Sequence, residues 1–318
     1  MGKQNMKNVV VIGGGTGQSA MLRGLKQIKD IRIYTIVTVA DDGGSTGRLR
    51  EDLNLPAMGD IRNVMLALAE EENMLAELMN YRFDNNCGRM SNHNLGNIIL
   101  SALTIQSGDF IKAIEDVSKV LRVKGKILPC TLNNVNLCAM TADGTEIIGQ
   151  HNINICAKKI QEIYYDQHVS VYPKALEAIN NADYIIIGLG SVFTSIMPNL
   201  IIDDIREALC NTKAEIIYYC NSMTEVGETD DYTLEQHIDA ISWHIGKQVI
   251  DTVIYADDAI PEDVMERYRE EGAIKVVPVE KEHSYKLIPY SLLDFSSGMV
   301  RHDPKKIKES FEAIMGGK

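Results

Sequence analysis

The chain has 318 residues, of which 45% are hydrophobic and 24% charged, the balance of an ordinary globular protein. Its formal net charge of −12 at pH 7 argues against nucleic acid as a partner, because phosphate contacts need clustered lysine and arginine. No apolar run approaches the ~20 residues that span a bilayer, and the start MGKQNMKN lacks the apolar stretch of a signal peptide. We therefore expect a cytoplasmic protein without a membrane span.

Strand-like and helix-like patterns alternate along the chain. Continuous apolar runs rich in β-branched residues, typical of parallel strands covered on both faces, occupy 9–13, 33–40, 184–188, 215–221, 251–256 and 275–279. Amphipathic helical patterns occupy 19–28, 60–71, 96–121, 233–246, 261–272 and 303–316. This alternation predicts an α/β fold with a mainly parallel sheet.

The segment at about 124–165 departs from this scheme. It has short apolar runs, the turn ADGT and no helical period. These features predict a small antiparallel β insertion between two α/β halves. Because no low-complexity linker interrupts the chain, we expect one domain that spans residues 1–318.

A glycine-rich loop, GGGTGQS, follows the first predicted strand, and its candidate ligand-binding residues are Gly14, Gly15, Thr16 and Gly17. Glycines let backbone amides approach an anion closely, and the N-terminus of the next helix adds partial positive charge. The dinucleotide fingerprint GxGxxG is met only in its alanine-ended form, at Gly15, Gly17 and Ala20. The loop therefore predicts a phosphate site, with a purely structural turn as the alternative.

The second predicted strand ends in VADDGGSTGRLRED, with Asp41 and Asp42 before a predicted flexible loop that contains Ser45 and Arg48. Paired carboxylates beside a phosphate are a way to hold Mg²⁺, with waters completing its octahedron. Asp41 and Asp42 are therefore the candidate magnesium ligands. The alternative is an acidic turn in which Arg48 and Arg50 form surface ion pairs with neighbouring acids.

Four further loops place small polar groups at strand ends or helix starts. Their candidate ligand-binding residues are Asn63, His93, Asn97, Gly190, Ser191, Thr194, Asn199, Asn221, Thr224, Glu228, Thr229 and Asp230. The alternative for these residues is structural, since threonine and aspartate cap helices and a lone histidine is commonly a satisfied core residue. Loops at the carboxyl ends of neighbouring parallel strands predict a ligand crevice at a topological switch point.

Two candidates lie near the C-terminus. Tyr268 falls inside a helical pattern, where a core position is the alternative to ligand contact. Arg301 precedes a predicted helix start, where its guanidinium can pair with a diphosphate or with Asp303.

The motifs GGGTG, VADDGGSTGRLR, GDIRN, HNLGN, GLGSVFTSIMPNL and NSMTEVGETDDYTLEQHIDAI together resemble the YvcK/CofD-like family over almost the whole chain. The segments TVADDGGSTGRLR and GETDDYTLEQH are similar to those of the YvcK branch of this family, whose members are often called gluconeogenesis factors. The resemblance implies a Rossmann-like, doubly wound fold, often homodimeric. It also implies a bound UDP-sugar such as UDP-N-acetylglucosamine, and a cytoplasmic role in gluconeogenic growth, cell shape and cell-wall synthesis.

Site residues follow from the resemblance position by position. It implies a first phosphate contact at 14–17, an acidic pair at Asp41 and Asp42, polar loop positions at Asn199 and Asn221, and UDP-sugar contacts at Tyr268 and Arg301. Two positions depart from the family pattern. Leu189 stands where the family usually has proline, and Asn92 stands where it usually has glycine.

Three functions compete on these observations. The first is a nucleotide-sugar-binding regulator without turnover, which acts through a protein partner in cell-wall synthesis. The second is a Mg²⁺-dependent enzyme similar to the CofD branch, the 2-phospho-L-lactate transferases, which releases a nucleoside monophosphate. A nicotinamide dehydrogenase is disfavoured because no Tyr-x-x-x-Lys pattern occurs, although NAD bound without redox chemistry stays compatible with the loops.

Overall fold

The computed structural model describes residues 6–70, 74–156, 158–279 and 281–317. Its strands are β1 (Lys7–Gly13), β2 (Ile31–Val37), β3 (Lys126–Pro129), β4 (Leu137–Thr141), β5 (Glu146–Ile148), β6 (Ile160–Tyr165), β7 (Tyr184–Gly188), β8 (Glu215–Tyr219), β9 (Thr252–Ala256), β10 (Lys286–Tyr290), β11 (Leu293–Asp294) and β12 (Arg301–His302). Its helices are α1 (Gly15–Leu25), α2 (Gly44–Leu53), α3 (Gly59–Leu68), α4 (Met74–Asn80), α5 (Leu95–Ser107), α6 (Phe110–Val120), α7 (Gln150–Asn154), α8 (Pro173–Asn180), α9 (Met197–Leu200), α10 (Asp203–Asn211), α11 (Leu234–Ile245), α12 (Glu262–Glu270) and α13 (Pro304–Met315).

Seven strands form one sheet in the order β10-β9-β8-β7-β1-β2-β3, and every neighbouring pair is parallel. The central strands are fully buried at 9–12 and 185–187. This burial explains why their sequences are continuous apolar runs rather than alternating ones. The predicted α/β, Rossmann-like, doubly wound sheet is confirmed.

The strand order reverses between β1 and β7. From β1 the chain builds outward to β2 and β3, then returns to place β7 on the other side of β1 and builds outward again to β10. Connections that leave β1 and β7 in opposite directions open a crevice at the carboxyl ends of these two strands. The glycine-rich segments at 13–17 and 188–190 follow those ends.

The segment predicted as a β insertion is divided between two sheets. β3 pairs in parallel with β2, so residues 126–129 form an edge of the large sheet. Beyond it, β4, β5 and β6 form a separate antiparallel sheet in the order β5-β4-β6, with α7 between β5 and β6. The predicted antiparallel sheet is confirmed, and its strands begin at Leu137 rather than near 124.

One predicted strand is wrong. Residues 275–279 form only an isolated bridge between Lys275 and Met223, and β10 occupies the sheet edge instead. The backbone of this segment bonds to the loop between β8 and α11: the Val276 amide donates to the Ser222 carbonyl, and the Leu234 amide donates to the Val277 carbonyl. Hydrogen bonds to this loop therefore take the place of the strand pairing that was predicted for residues 275–279.

Two helical regions also differ from expectation. The pattern at 96–121 is two helices, because Gly108 ends α5 in a left-handed conformation (φ 68°) and the Asp109 carboxylate caps α6. The segment after Asp42, predicted as a flexible loop, forms α2. Within the described ranges, no helix is both long enough and apolar enough to cross a membrane.

Candidate functional site

A cleft of about 490 Å³, called here the switch-point cleft, opens at the carboxyl ends of β1 and β7. It is lined by Gly15, Thr16, Gly17, Asp41, Asp60, Gln150, Asn154, Gly190, Ser191, Thr194, Ser195, Glu225, Val226 and Glu228. Four of these residues are acidic and none is lysine, arginine or histidine. The cleft therefore combines a helix N-terminus with an excess of negative side chains.

The glycine loop brings the start of α1 against the loop that follows β7. Gly15 has a φ of 66°, a left-handed conformation that glycine adopts without strain. A Cβ on Gly17 would overlap the Leu189 carbonyl oxygen, so only glycine permits this approach. Thr16 and Gly17 lie in the first turn of α1, where N–H groups have no acceptor within the helix. Both residues line the cleft, which suits an anion.

Asp60, at the start of α3, lies against the N-terminus of α1. Its carboxylate accepts hydrogen bonds from the Gly15 backbone N–H and from the Asn63 side chain. A Cβ on Gly14 would lie 2.7 Å from Asp60 Oδ2, so Gly14 also permits a close approach. Burial, together with the negative charge of Asp41, raises the pKa of Asp60 to about 7.

Asp41 is the second carboxylate on this side of the cleft. Its Oδ1 accepts from the Gly43 amide at 3.0 Å, and the Thr46 side chain donates to it. Burial raises the pKa of Asp41. A Cβ on Gly59 would lie 2.5 Å from Asp41 Oδ2, which places this carboxylate against the N-terminus of α3. Asp41 and Asp60 therefore face the cleft together.

Asp42 lies apart from this pair in the structure, and the predicted pairing of Asp41 with Asp42 as magnesium ligands stays a prediction. Its Oδ1 accepts from the His151 amide at 2.7 Å, at the start of α7, and Asp42 does not line the cleft. The two neighbouring carboxylates diverge: Asp41 bonds to Gly43 and Thr46, whereas Asp42 holds the antiparallel insertion in place.

The opposite wall carries two further carboxylates from the loop after β8. Glu228 is buried and accepts hydrogen bonds from the hydroxyls of Ser191 and Thr194, the latter at 3.1 Å. Burial raises the pKa of Glu228, and burial with the charge of Glu228 raises the pKa of Glu225. This wall is therefore a second acidic surface across from Asp41 and Asp60.

The antiparallel insertion supplies two residues that the sequence did not indicate. Gln150 and Asn154, both on α7, line the cleft, and Gln150 Nε2 donates to the Thr194 carbonyl at 2.8 Å. Their segment carries no glycine-rich turn or hydroxyl cluster, so no sequence signal marks it. The sequence gives weak evidence for Asp60 and Glu225 as site residues, because each lies in a loop whose other polar residues are predicted to bind a ligand.

Two predicted ligand residues hold the loops together instead of lining the cleft. Asn199 is fully buried, and its Nδ2 donates to the carbonyls of Gly13 at 3.0 Å and Ser195 at 2.9 Å. Asn221 accepts from the Gly190 amide at 3.2 Å and donates to the Gly190 carbonyl at 2.9 Å. Both amides therefore fix the shape of the loop that follows β7.

Three other predicted residues shape the loop after β8. The Thr229 hydroxyl accepts from the Glu225 amide at 2.9 Å, and the Asp230 carboxylate accepts from the Gly227 amide. Thr224 Oγ1 accepts from the Ile274 amide at 2.9 Å. None of the three lines the cleft.

A polar group behind Asp41 connects α2 to α5. Asn97 Nδ2 donates to Thr46 Oγ1 at 3.3 Å, and Thr46 in turn bonds to Asp41. Ser45 Oγ lies 3.2 Å from Nδ1 of the buried His93. Burial lowers the pKa of His93, so the ring is neutral at pH 7. Thr46 and Asn97 therefore support Asp41 from behind, whereas Ser45 and His93 contact each other, and none of the four lines the cleft.

The remaining predicted residues also lie outside the cleft lining. Arg48 is exposed and donates to the Ser91 carbonyl at 2.9 Å. The Tyr268 hydroxyl accepts from the Val300 amide at 3.2 Å, and the exposed Arg301 follows in β12. Contact of Tyr268 and Arg301 with a ligand stays a prediction.

Magnesium fits this site only together with a phosphate ligand. In the described part of the chain, no group of three or more His, Cys, Asp and Glu side chains is arranged to hold a metal ion. Mg²⁺ is commonly bound through one or two carboxylates plus substrate phosphates and waters. Asp41 and Asp60 supply two such carboxylates beside the N-terminus of α1.

Comparison with known proteins identifies the family of this chain. The family described as 2-phospho-L-lactate transferase CofD matches residues 9–291. The gluconeogenesis factor of Halalkalibacterium halodurans is 42% identical, over 98% of this chain and 97% of that protein. That of Bacillus subtilis is 39% identical, over 94% and 95%. A Bacillus halodurans crystal structure superposes with a TM-score of 0.92 at 41% identity, over 96% of this chain and 99% of that chain. The predicted resemblance is confirmed, and the chain belongs to the CofD family, together with relatives named gluconeogenesis factor.

Proposed function

We propose that this chain binds a nucleotide diphosphate sugar, such as UDP-N-acetylglucosamine, in the switch-point cleft. The observation that carries the proposal is the start of α1, whose first-turn residues Thr16 and Gly17 line a crevice between β1 and β7. Unpaired N–H groups and the helix dipole favour a phosphate at this position. Side-chain oxygens and amides from α7 and the β7 loop are available for the rest of the ligand.

The negative charge of the cleft adds a condition to this proposal. Asp41, Asp60, Glu225 and Glu228 all line the cleft, and no lining side chain is a lysine, arginine or histidine. A diphosphate would meet like charges there unless a cation or bound protons compensate. We therefore propose that Mg²⁺ enters with the ligand, held by Asp41 and Asp60, and neutralises the diphosphate.

A regulatory role without turnover fits the hydroxyl groups in the cleft. Ser191 Oγ accepts from the Thr194 amide at 3.0 Å while its own proton is donated to Glu228, so it caps the turn at 192–196. The Ser191 hydroxyl therefore shapes this turn, although a hydroxyl bonded to a carboxylate is also the arrangement of an activated nucleophile. The name gluconeogenesis factor supports a regulator of growth on gluconeogenic carbon sources. We extend the proposal to cell shape, cell-wall synthesis and a cytoplasmic protein partner.

The alternative is a Mg²⁺-dependent transferase that releases a nucleoside monophosphate. The family match to 2-phospho-L-lactate transferase CofD and the Asp41–Asp60 pair favour it. Displacement at phosphorus depends on positioning and charge neutralisation and needs no covalent residue.

Calorimetric titration tests both functions. The protein is titrated with UDP-N-acetylglucosamine, GDP and NAD, with and without Mg²⁺, and each mixture is then assayed for released nucleoside monophosphate. We expect saturable, Mg²⁺-enhanced binding of the UDP-sugar without release, weakened at least tenfold in Asp60→Asn. The matched control is Asp203→Asn, an exposed aspartate on α10.

Two results would change the conclusion. Binding of GDP but not of the UDP-sugar, with monophosphate release that needs Asp41 and Asp60, would replace the regulator with the transferase. Loss of UDP-sugar binding in Arg301→Ala, but not in the exposed Arg89→Ala, would extend the binding site beyond the cleft to β12.

A further inference from the structure

A second cavity lies at the other end of the large sheet. It has a volume of about 450 Å³, lies between α6 and α8, and reaches Asn8 at the start of β1 and Lys126 at the start of β3. We call it the α6–α8 pocket. The switch-point cleft begins after the carboxyl end of β1, and a seven-residue strand spans roughly 20 Å. The two cavities are therefore separate.

The pocket exists because two helices diverge over a short edge strand. α6 packs against α5, whereas α8 packs against α10 and β3. β3 has only four residues and forms the edge of the sheet, so it does not fill the gap between the helices. The floor is apolar, with Ile114, Ile127, Leu128 and Tyr172 buried. A volume of this size is typical of sites for small molecules.

One unsatisfied polar atom, Oδ1 of Asn8, points to a ligand rather than to a simple packing fault. Asn8 Nδ2 donates to the Asn181 carbonyl at 2.9 Å, which fixes the amide with Oδ1 as its acceptor. Among the described residues, Asn8 Oδ1 has no hydrogen-bond partner although the atom is buried. Two residues with hydroxyl groups, Tyr34 and Ser118, also line the pocket. A buried acceptor without a partner is unfavourable, and a ligand donor would satisfy it once the Asn8 side chain turns toward the pocket that it lines.

The rim of the pocket is positively charged on a strongly acidic protein. Its basic residues are Lys119, Arg122, Lys126 and Lys174, against two acids, Glu115 and Glu177. Three of these cations have an acidic partner: Lys174 Nζ lies 3.8 Å from Glu115 Oε1, Lys119 Nζ lies 3.1 Å from Asp116 Oδ1, and Arg122 Nη1 lies 3.9 Å from Glu70 Oε2. Asp116 and Glu70 lie outside the pocket lining, and among the described residues no ion pair involves Lys126. The whole chain carries a net charge of −12. A local excess of cations on such a chain favours an anionic ligand.

We propose that the α6–α8 pocket binds a small organic anion with an apolar body. The apolar floor takes the body, Asn8 Oδ1 accepts a hydrogen bond from the ligand, and the basic rim neutralises its carboxylate or sulfonate. This inference does not depend on the function proposed for the switch-point cleft.

Fluorescence titration with 8-anilinonaphthalene-1-sulfonate tests the pocket, because this probe combines an aromatic body, an N–H donor and a sulfonate. We compare the full chain with the double variant Arg122→Glu/Lys126→Glu, both of whose positions are exposed. The control is Lys213→Glu/Lys305→Glu, which makes the same charge change at exposed positions outside the pocket. Ala178→Phe, which adds a ring inside the pocket, is a second variant.

We expect saturable binding of the probe, weakened at least tenfold by the rim variant and by Ala178→Phe but not by the control. Octanoate should displace the probe, whereas octyl glucoside at the same concentration should not. Absence of saturable binding, equal loss in the control variant, or displacement by UDP-N-acetylglucosamine would overturn the proposal. If Ala178→Phe does not fold, the rim variant and its control decide alone.

Discussion

Gly17, in the first turn of α1, lies so close to the carbonyl oxygen of Leu189 that a Cβ at this position would overlap it. The contact joins the two halves of the sheet where the strand order reverses. Leu189 itself has a φ of 48°, and flanking Gly188 and Gly190 have φ values of 118° and 147°. Three consecutive residues with positive φ turn the chain sharply after β7 and bring its backbone against α1.

We expect Gly17→Ala to separate α1 from the β7 loop and to weaken ligand binding in the cleft. Overpacking of this kind costs about 1–3 kcal/mol in the free energy of unfolding. Gly13→Ala is the control, because its nearest neighbours would lie at 3.7 Å, an ordinary contact. Guanidinium unfolding measures both variants. Equal stability of Gly17→Ala and the wild type would show that the loop moves without cost.

Asp60 should make the protein less stable as pH rises. Burial and the charge of Asp41 raise the pKa of Asp60 from 3.8 to about 7, so the unfolded chain loses this proton at lower pH than the folded chain. The stability due to the protonated carboxyl is complete below pH ~4 and is lost as pH rises to ~7, by at most about 1.4 kcal/mol per pH unit.

We therefore expect Asp60→Asn to flatten the fall in the free energy of unfolding between pH 5 and pH 7. Unfolding by guanidinium at several pH values, without Mg²⁺ or nucleotide, measures the slope. Asp203→Asn, on the exposed surface of α10, should keep the wild-type slope. Parallel pH profiles for wild type and Asp60→Asn would contradict the raised pKa.

Asn221 should contribute to stability through its two bonds to the Gly190 backbone, at 3.2 and 2.9 Å. Asn221→Ala leaves both Gly190 groups without these partners, which costs about 1–3 kcal/mol. Asn211→Ala removes an exposed amide whose one side-chain bond among the described residues is to the Glu207 carbonyl within α10, and should change stability by less than about 0.5 kcal/mol. Chemical denaturation distinguishes the two variants, and similar effects would remove the assigned role.

His244 should hold the antiparallel insertion to α11. Its Nδ1 donates to the Ala240 carbonyl at 2.8 Å, so its Nε2 accepts from the Ile163 amide at 3.1 Å in the neutral ring. Burial lowers the pKa of His244, so the stability from this neutral ring is present near pH 7 and is lost as pH falls through the folded-state pKa.

We expect His244→Phe to lower the opening free energy of the Ile163 amide by about 1–3 kcal/mol, because its N–H loses its acceptor. Amide hydrogen exchange at pH 7 measures this quantity. His168→Phe, at an exposed position, is the matched control. Unchanged protection of Ile163 in His244→Phe would mean that another group accepts from this amide.

The central strands could be predicted because a strand buried on both faces has a continuous run of apolar residues. The predicted run 184–188 has the same bounds as β7, since Gly188 ends the strand with a φ of 118°. β10 could not be predicted in the same way, because KLIPY is a half-exposed edge strand that contains Pro289. The run at 275–279 has a more apolar, strand-like pattern than β10. Its position is nevertheless determined by contacts with a loop distant in the sequence.

The candidate site was predicted in part for a similar reason. The glycine loops and Glu228 carry a local signal, since close backbone approach needs glycine and each loop follows an apolar strand. Asp41 and Asp42 are indistinguishable in the sequence, and only the position of α7 separates their contacts. The roles of Asn199 and Asn221 depend on carbonyl groups far away in the chain, which no local pattern reveals.

The position of α7 has an evolutionary consequence. Gln150 and Asn154 reach the switch-point cleft from a segment whose own strands form a separate sheet. Asp42 anchors the start of α7 within this segment, and the parallel strands take no part in that contact. For the ligand proposed above, mutations in α7 are therefore expected to alter ligand preference while the large sheet and its glycine turns stay intact. Divergence among relatives in what they recognise is expected to concentrate in this insertion, and exchanging it between two relatives is a direct route to a protein with a new ligand.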